Sequence, residues 1–297
     1  MLKFIIKIVF ITIILCINQE YARGQSANWN DTLQTILTAK VSDSIKVSQI
    51  EAKTIFLVTN ARPEAKDFLK AMERLLSKNN NSYLLAKLYY TKAIVWNFTV
   101  PKEEIFNYID SCIYYAEKIN YTQYIVRGAR MKGQYLDRFN NFPESEKMLL
   151  KAYEASQTLQ IPFESFRTLV ALAGIYENQM DYNSALKYSL IAAEISDKSS
   201  FKNTLGSLYL RIAIGYSKIG DNEKAQQYYN LTLDFSITDQ QALLPEIYAH
   251  LGNFHQTVGR NEIALSYYQM CDSVMHSQNQ TVGRNEIALS YYQMCDS

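Results

Sequence analysis

The sequence predicts an all-α protein, an α-solenoid of five to six helix-turn-helix units, and three observations predict it. Glycine (10) and proline (5) are scarce among the 297 residues, which disfavours turn-dense all-β folds and linker-like disorder. Hydrophobic residues make up 48% and charged residues 20%, so the chain can bury a core. The same apolar order also returns about every forty residues, the mark of stacked repeats. Thirty basic against 29 acidic residues leave a net charge of +1. There is no global basic field for nucleic acid and no acidic tail.

Residues 1–24 stand apart from the repeats. Lys3 and Lys7 come early, an apolar run covers Ile8 to Ile17, and Ala22-Arg23-Gly24 ends the segment with a small-x-small pattern. This is the layout of a secretory signal peptide, so the protein is expected to be exported, either periplasmic or membrane-associated. The apolar run is short of the ~20 residues of a spanning helix; an uncleaved anchor is the alternative. Cys16 follows Leu15, not the small residue that lipidation would want. Loss of Lys3, Lys7, Arg23 and Glu20 turns the balance slightly acidic. Residues 25–44 read as a linker or an extra helix.

Residues 45–278 carry the repeats. Ala185, Ala225 and Ala264 are spaced by 40 and 39 residues and define a register. Nine residues before each stand Tyr176, Tyr216 and His255; twelve before, the small residues Ala173, Ala213 and Gly252; thirteen before, Leu172, Ile212 and Leu251. Asp181, Asp221-Asn222 and Asn261 fall in the turns, placed to cap the second helix. Steps of forty upstream reach Ser145, then Ile105, then Ala65, with Gly133 and Ala93 on the first helices and Cys112 and Ala152 on the second. Pro63 and Pro143 lie near second-helix starts, where a missing N–H costs little.

This pattern resembles the tetratricopeptide repeat. A large-small-x-x-aromatic first helix and a second helix with Ala-x-x-x-aromatic-x-x-Ala are matched at Leu172, Ala173, Tyr176, Ala185 and Ala192. The following unit matches at Ile212, Ala213, Tyr216, Gly220, Ala225 and Tyr229. The third matches at Leu251, Gly252, Gly259, Ala264 and Tyr268, with His255 in the aromatic place and Cys271 for the second alanine. The period of about 40 exceeds the usual 34. The resemblance implies a right-handed superhelix whose first helices line a concave groove. These motif residues are a packing prescription; they supply no chemistry.

The carboxyl end breaks the pattern. Gln256–Ser273 recurs unchanged as Gln280–Ser297, at an offset of 24 residues, not 40. Residues 279–297 thus read as a duplicated partial repeat, a second helix without a first, and as an aberrant or truncated end. Repeats bury their faces only against neighbours.

Catalytic and metal motifs are missing. Gly128 and Gly133 have P-loop spacing, but Gln134 replaces the lysine and the segment is helical. His250 and His255 are five apart, off a shared face, and no Cys-x-x-Cys occurs. Cys112 and Cys271 read as small buried hydrophobes. Neither an enzyme nor a cofactor or metal site is expected. Most tyrosines fall on the packing register. A row of cations is less easily assigned to packing: eighteen residues before the register stand Lys87, Arg127 and Arg167, with Arg130 one turn from Arg127. In the family that position faces the groove, so these four are the candidate peptide-binding residues, suited to carboxylates; a solvated helix face is the alternative. The expected function is a non-catalytic scaffold that binds a peptide or partner protein, with no nucleic acid as partner. The alternative is the extracytoplasmic sensor part of a bacterial histidine kinase or helix-turn-helix regulator, because such repeats precede a membrane helix in those proteins.

Overall fold

Long stretches without internal proline or glycine pairs, each closed by a turn signal, give helices of ten to twenty-two residues. The computed structural model describes residues 28–96, 100–199, 204–239 and 243–282. Among these there are thirteen α-helices and no strand. They are α1 (Trp29–Thr38), α2 (Asp43–Thr59), α3 (Ala65–Leu76), α4 (Ser82–Val95), α5 (Lys102–Glu117), α6 (Thr122–Arg138) and α7 (Phe142–Thr158). There follow α8 (Pro162–Asn178), α9 (Tyr182–Asp197), α10 (Leu205–Lys218), α11 (Asn222–Asp239), α12 (Leu244–Thr257) and α13 (Asn261–Val282). None of the described helices is long and apolar enough to cross a membrane. The leader, residues 1–24, lies outside the described residues, as does the duplicated segment beyond Val282.

The chain forms two compact units, Met1–Tyr124 and Ile125–Ser297. In the first, α2 packs on α3 and on α4, and α4 packs on α5. α1 adds Leu33 and Ile36 to the same core, which centres on Ile50, Leu57, Phe68, Leu69 and Met72. The second unit repeats one device: α8 pairs with α9, α10 with α11 and α12 with α13, and each pair leans on the next through α9–α10 and α11–α12.

The register residues explain the pairing. Ala65, Ile105, Ser145, Ala185, Ala225 and Ala264 are all buried, as are Met72, Cys112, Ala152, Ala192, Thr232 and Cys271 seven residues on. Where these are alanine, serine, threonine or cysteine, the small side chain lets the paired helices close in. Ser145 stands in for alanine because its hydroxyl donates to the Gly133 carbonyl at 2.7 Å, joining α7 to α6. The turns follow from left-handed residues five before the register, at Asn140, Met180, Gly220 and Gly259. Asp181 and Asp221 accept from the amides of Ser184 and Lys224 at 3.1 and 3.2 Å, as N-caps do. Asn261 does not cap: α13 already begins at this residue, so Arg260 takes the cap position.

Candidate functional site

Lys87 sits on α4 in the first unit and is buried. Its ammonium donates to Glu51 Oε2 at 3.2 Å and Ser48 Oγ at 2.9 Å, both on α2. It also lies 5.0 and 5.8 Å from the ring centres of Tyr83 and Tyr124. The Tyr124 hydroxyl donates to the other Glu51 oxygen. A lysine and a glutamate can be buried so deeply only because each supplies the other's counter-charge and hydrogen bonds.

In the second unit, Arg127 Nε donates to Glu164 Oε1 at 2.6 Å, bridging α6 and α8. Glu164 is fully buried. Arg130, also buried, places Nη2 4.0 Å from Glu164 Oε2 and donates from Nη1 to Gln134 at 3.2 Å. Nε and Nη2 of Arg130 and Oε2 of Glu164 make no hydrogen bond. Two guanidinium groups therefore face one carboxylate, and Arg130 keeps two nitrogens with unspent donors. Arg167, three residues past Glu164 on α8, is half-buried with its guanidinium 5.7 Å from the Phe163 ring centre. A third link joins α8 to α10, where Arg211 reaches Glu177 at 3.4 Å and donates to the Val170 carbonyl at 3.0 Å.

The structure thus brings Arg127 and Arg130 together around Glu164, and pairs Lys87 separately with Glu51. The two buried carboxylates escaped sequence reasoning. A signal for them exists: Glu51–Lys87 and Arg127–Glu164 are separated by 36 and 37 residues, close to one repeat. Also missed was an open cleft of about 440 Å³ between α11 and the α12–α13 turn, lined by residues that include Asn222, Glu223, Gln226, Phe254 and Arg260.

Of the motif residues, Leu172, Ala173, Ala185, Ala192, Ile212, Ala213, Ala225, Tyr229, Leu251 and Ala264 are buried. Gly252 is buried as well, while Tyr176, Tyr216 and Tyr268 are half-buried and Gly220 and Gly259 are exposed at turns. His255 fills its aromatic place: it is buried, stacked on Tyr267 with ring centres 5.3 Å apart, and edge-on to Phe254. Burial, and secondarily Arg260, hold its pKa below the usual imidazole value. Cys112 and Cys271 are both buried. Among the described residues no group of histidine, cysteine, aspartate or glutamate could hold a metal ion.

No protein-family model and no curated protein matches the sequence. Solved structures do match. A signal transduction ATPase with a tetratricopeptide repeat sensor from Pyrococcus horikoshii is similar over 89% of this chain and 42% of its own, with TM-score 0.64 and 15% identity. The chain therefore spans less than half of that neighbour. A Rap protein complexed with competence and sporulation factor is similar over 84% of this chain and 80% of its own, with TM-score 0.60 and 14% identity. PilF of Pseudomonas aeruginosa is similar over 85% of this chain and 98% of its own, with TM-score 0.56 and 15% identity. At such identities the likeness concerns the fold alone. Taken with the helix pairs and their register, it makes this an all-α protein of the tetratricopeptide-like helical-repeat fold.

Proposed function

We propose that the chain is a non-catalytic scaffold working outside the cytoplasm, binding a peptide or partner segment that presents a carboxylate. The observation that carries this reading is the Arg127–Arg130–Glu164 cluster: two guanidinium groups against one carboxylate, with Arg130 N–H groups unspent in a nearly dry setting. A ligand carboxylate there gains charge-assisted hydrogen bonds strengthened by low local dielectric. Arg167 extends the positive face along α8; Lys87, in the first unit, is buried with its charge met by Glu51. The Rap neighbour was solved with competence and sporulation factor bound, which supports partner binding by this fold. The leader, residues 1–24, supports export. In a library of acidic peptides, wild type is expected to select ligands, and the Arg127→Ala/Arg167→Ala double variant to lose them with its helical signal intact. Unchanged affinity overturns the reading.

A second reading, the sensor part of a bacterial signalling protein, is favoured by one observation. The Pyrococcus horikoshii neighbour carries a tetratricopeptide repeat sensor within a longer signalling chain, of which this chain spans 42%. Long-read sequencing through codons 256 to 297 and beyond separates the two: an open frame running on into a membrane helix and a kinase or DNA-binding domain supports the sensor.

A further inference from the structure

The cleft of about 440 Å³ between α11 and the α12–α13 turn carries opposite charges on its two sides. Glu223, in the first turn of α11, and Arg260, just before α13, both line it and both are exposed. Among the described residues neither the Glu223 carboxylate nor the Arg260 guanidinium has an ion-pair or side-chain hydrogen-bond partner. One cleft therefore holds a cation and an anion that do not close on each other.

The repeat shows what is unusual here. Forty residues before Gln226 and Asn230, the matching places on α9 hold Leu186 and Leu190, and Leu186 is buried so close to Gly215 that a Cβ on that glycine would lie 2.8 Å from its Cδ2. At the α11–α12 seam two amides replace the leucines, and Phe254 holds the place of Gly215, ten residues before the register. Gln226 donates from Nε2 to Asn230 Oδ1 at 3.0 Å. That bond orients the pair and leaves Gln226 Oε1 as an acceptor and Asn230 Nδ2 as a donor, the two groups that one peptide N–H and one peptide C=O require. Buried Phe254 and half-buried Val258 give the cleft an apolar side. Its volume falls in the roughly 300–1,000 Å³ of small-ligand clefts. That is more than a single amino acid fills and too little for a folded partner.

We propose that this cleft is a second binding site, for a free zwitterionic peptide of two or three residues with an apolar side chain. Arg260 takes the terminal carboxylate and Glu223 the terminal ammonium, each by charge-assisted hydrogen bonds. The Gln226–Asn230 pair takes a peptide unit, and Phe254 and Val258 take the side chain. The proposal goes beyond the carboxylate reading at Arg127, Arg130 and Glu164 and uses none of its residues.

The test is isothermal titration calorimetry on the full-length chain with leucyl-leucine as the probe. Wild type is expected to bind it saturably, and N-acetylation or C-terminal amidation of the dipeptide should each weaken binding about fivefold, the upper range for exposed ion pairs. Arg260→Gln should bind the amide as well as the free acid, and Glu223→Gln the N-acetyl form as well as the free amine. Both substitutions alter exposed side chains, so melting midpoints should not move. Three results overturn the proposal: no saturable heat with wild type, blocked dipeptides that bind as tightly as the free one, or binding lost in Arg127→Ala/Arg167→Ala but kept in Glu223→Gln and Arg260→Gln. The last would put the dipeptide at the α6–α8 cluster and leave the carboxylate reading standing.

Discussion

At Gly252 one added methyl has nowhere to go: its Cβ would lie 2.4 to 2.8 Å from three atoms of the Tyr268 ring. A planar ring cannot fold away, so Gly252→Ala is expected to cost about 1–3 kcal/mol, read from chemical denaturation. Gly215→Ala meets Leu186 Cδ2 and Cγ at 2.8 and 2.9 Å, atoms of a side chain that can rotate away more readily than a ring, and should cost less. At Met180 the situation reverses. It adopts φ 59° with its side chain 76% exposed, a left-handed conformation that strains a residue with a Cβ by about 1–2 kcal/mol. Met180→Gly is therefore expected to raise stability by up to about 1 kcal/mol, the remainder offset by the greater freedom of glycine in the unfolded chain. Gly220 and Gly259 show what that position prefers. His255 and Tyr135 set opposite pH limits. The folded state holds the His255 pKa below its ordinary 6.5, so its contribution is complete above that pH and drains away as pH falls below it. His255→Phe should remove this acid sensitivity, raising the melting midpoint more at pH 5.5 than at pH 8. Burial pushes Tyr135 up to about 12 from 10, so its contribution is present below pH 10 and is lost as pH rises from 10 towards 12, a loss that Tyr135→Phe should blunt in alkaline melts.

Between elements, the first helices of successive pairs are tied by ion pairs: α2 to α4 through Glu51 and Lys87, α6 to α8 through Arg127 and Glu164, α8 to α10 through Glu177 and Arg211. Their strengths differ with burial. Glu164→Gln keeps the shape but removes the buried negative charge that both guanidinium groups face, and is expected to cost about 3–5 kcal/mol. Glu177→Gln acts on a pair whose side chains are each about 30% exposed, and should cost under about 1 kcal/mol. Urea midpoints at constant slope compare the two. Most of this layer was legible in the sequence: spacing alone located both helices of the units centred on Ala185, Ala225 and Ala264, and the segment around Ala65 also forms a pair, α2 and α3. The buried carboxylates were not legible, because sequence places a cation on a helix face but does not say which neighbour's side chain turns towards it. Nor was the Asn261 cap, where a shift of one residue in the helix start moves the side chain from cap to first turn.

Over the whole molecule, periodicity gave the fold because a repeat is a packing rule that must be obeyed at every step, and the small residues that obey it are visible one by one. The proposed binding surface is less legible, since a groove is defined by what the packing rule leaves unused. The proposed role falls to the faces of α6 and α8 that carry Arg127, Arg130 and Arg167. Hydrogen exchange with mass spectrometry, on the full chain with and without a selected acidic peptide, tests it most directly. Slowed exchange is expected in residues 122–138 and 162–178, with α9, α11 and α13 unchanged. Protection confined to those second helices, or equal protection when Arg127 and Arg167 are alanine, would contradict it.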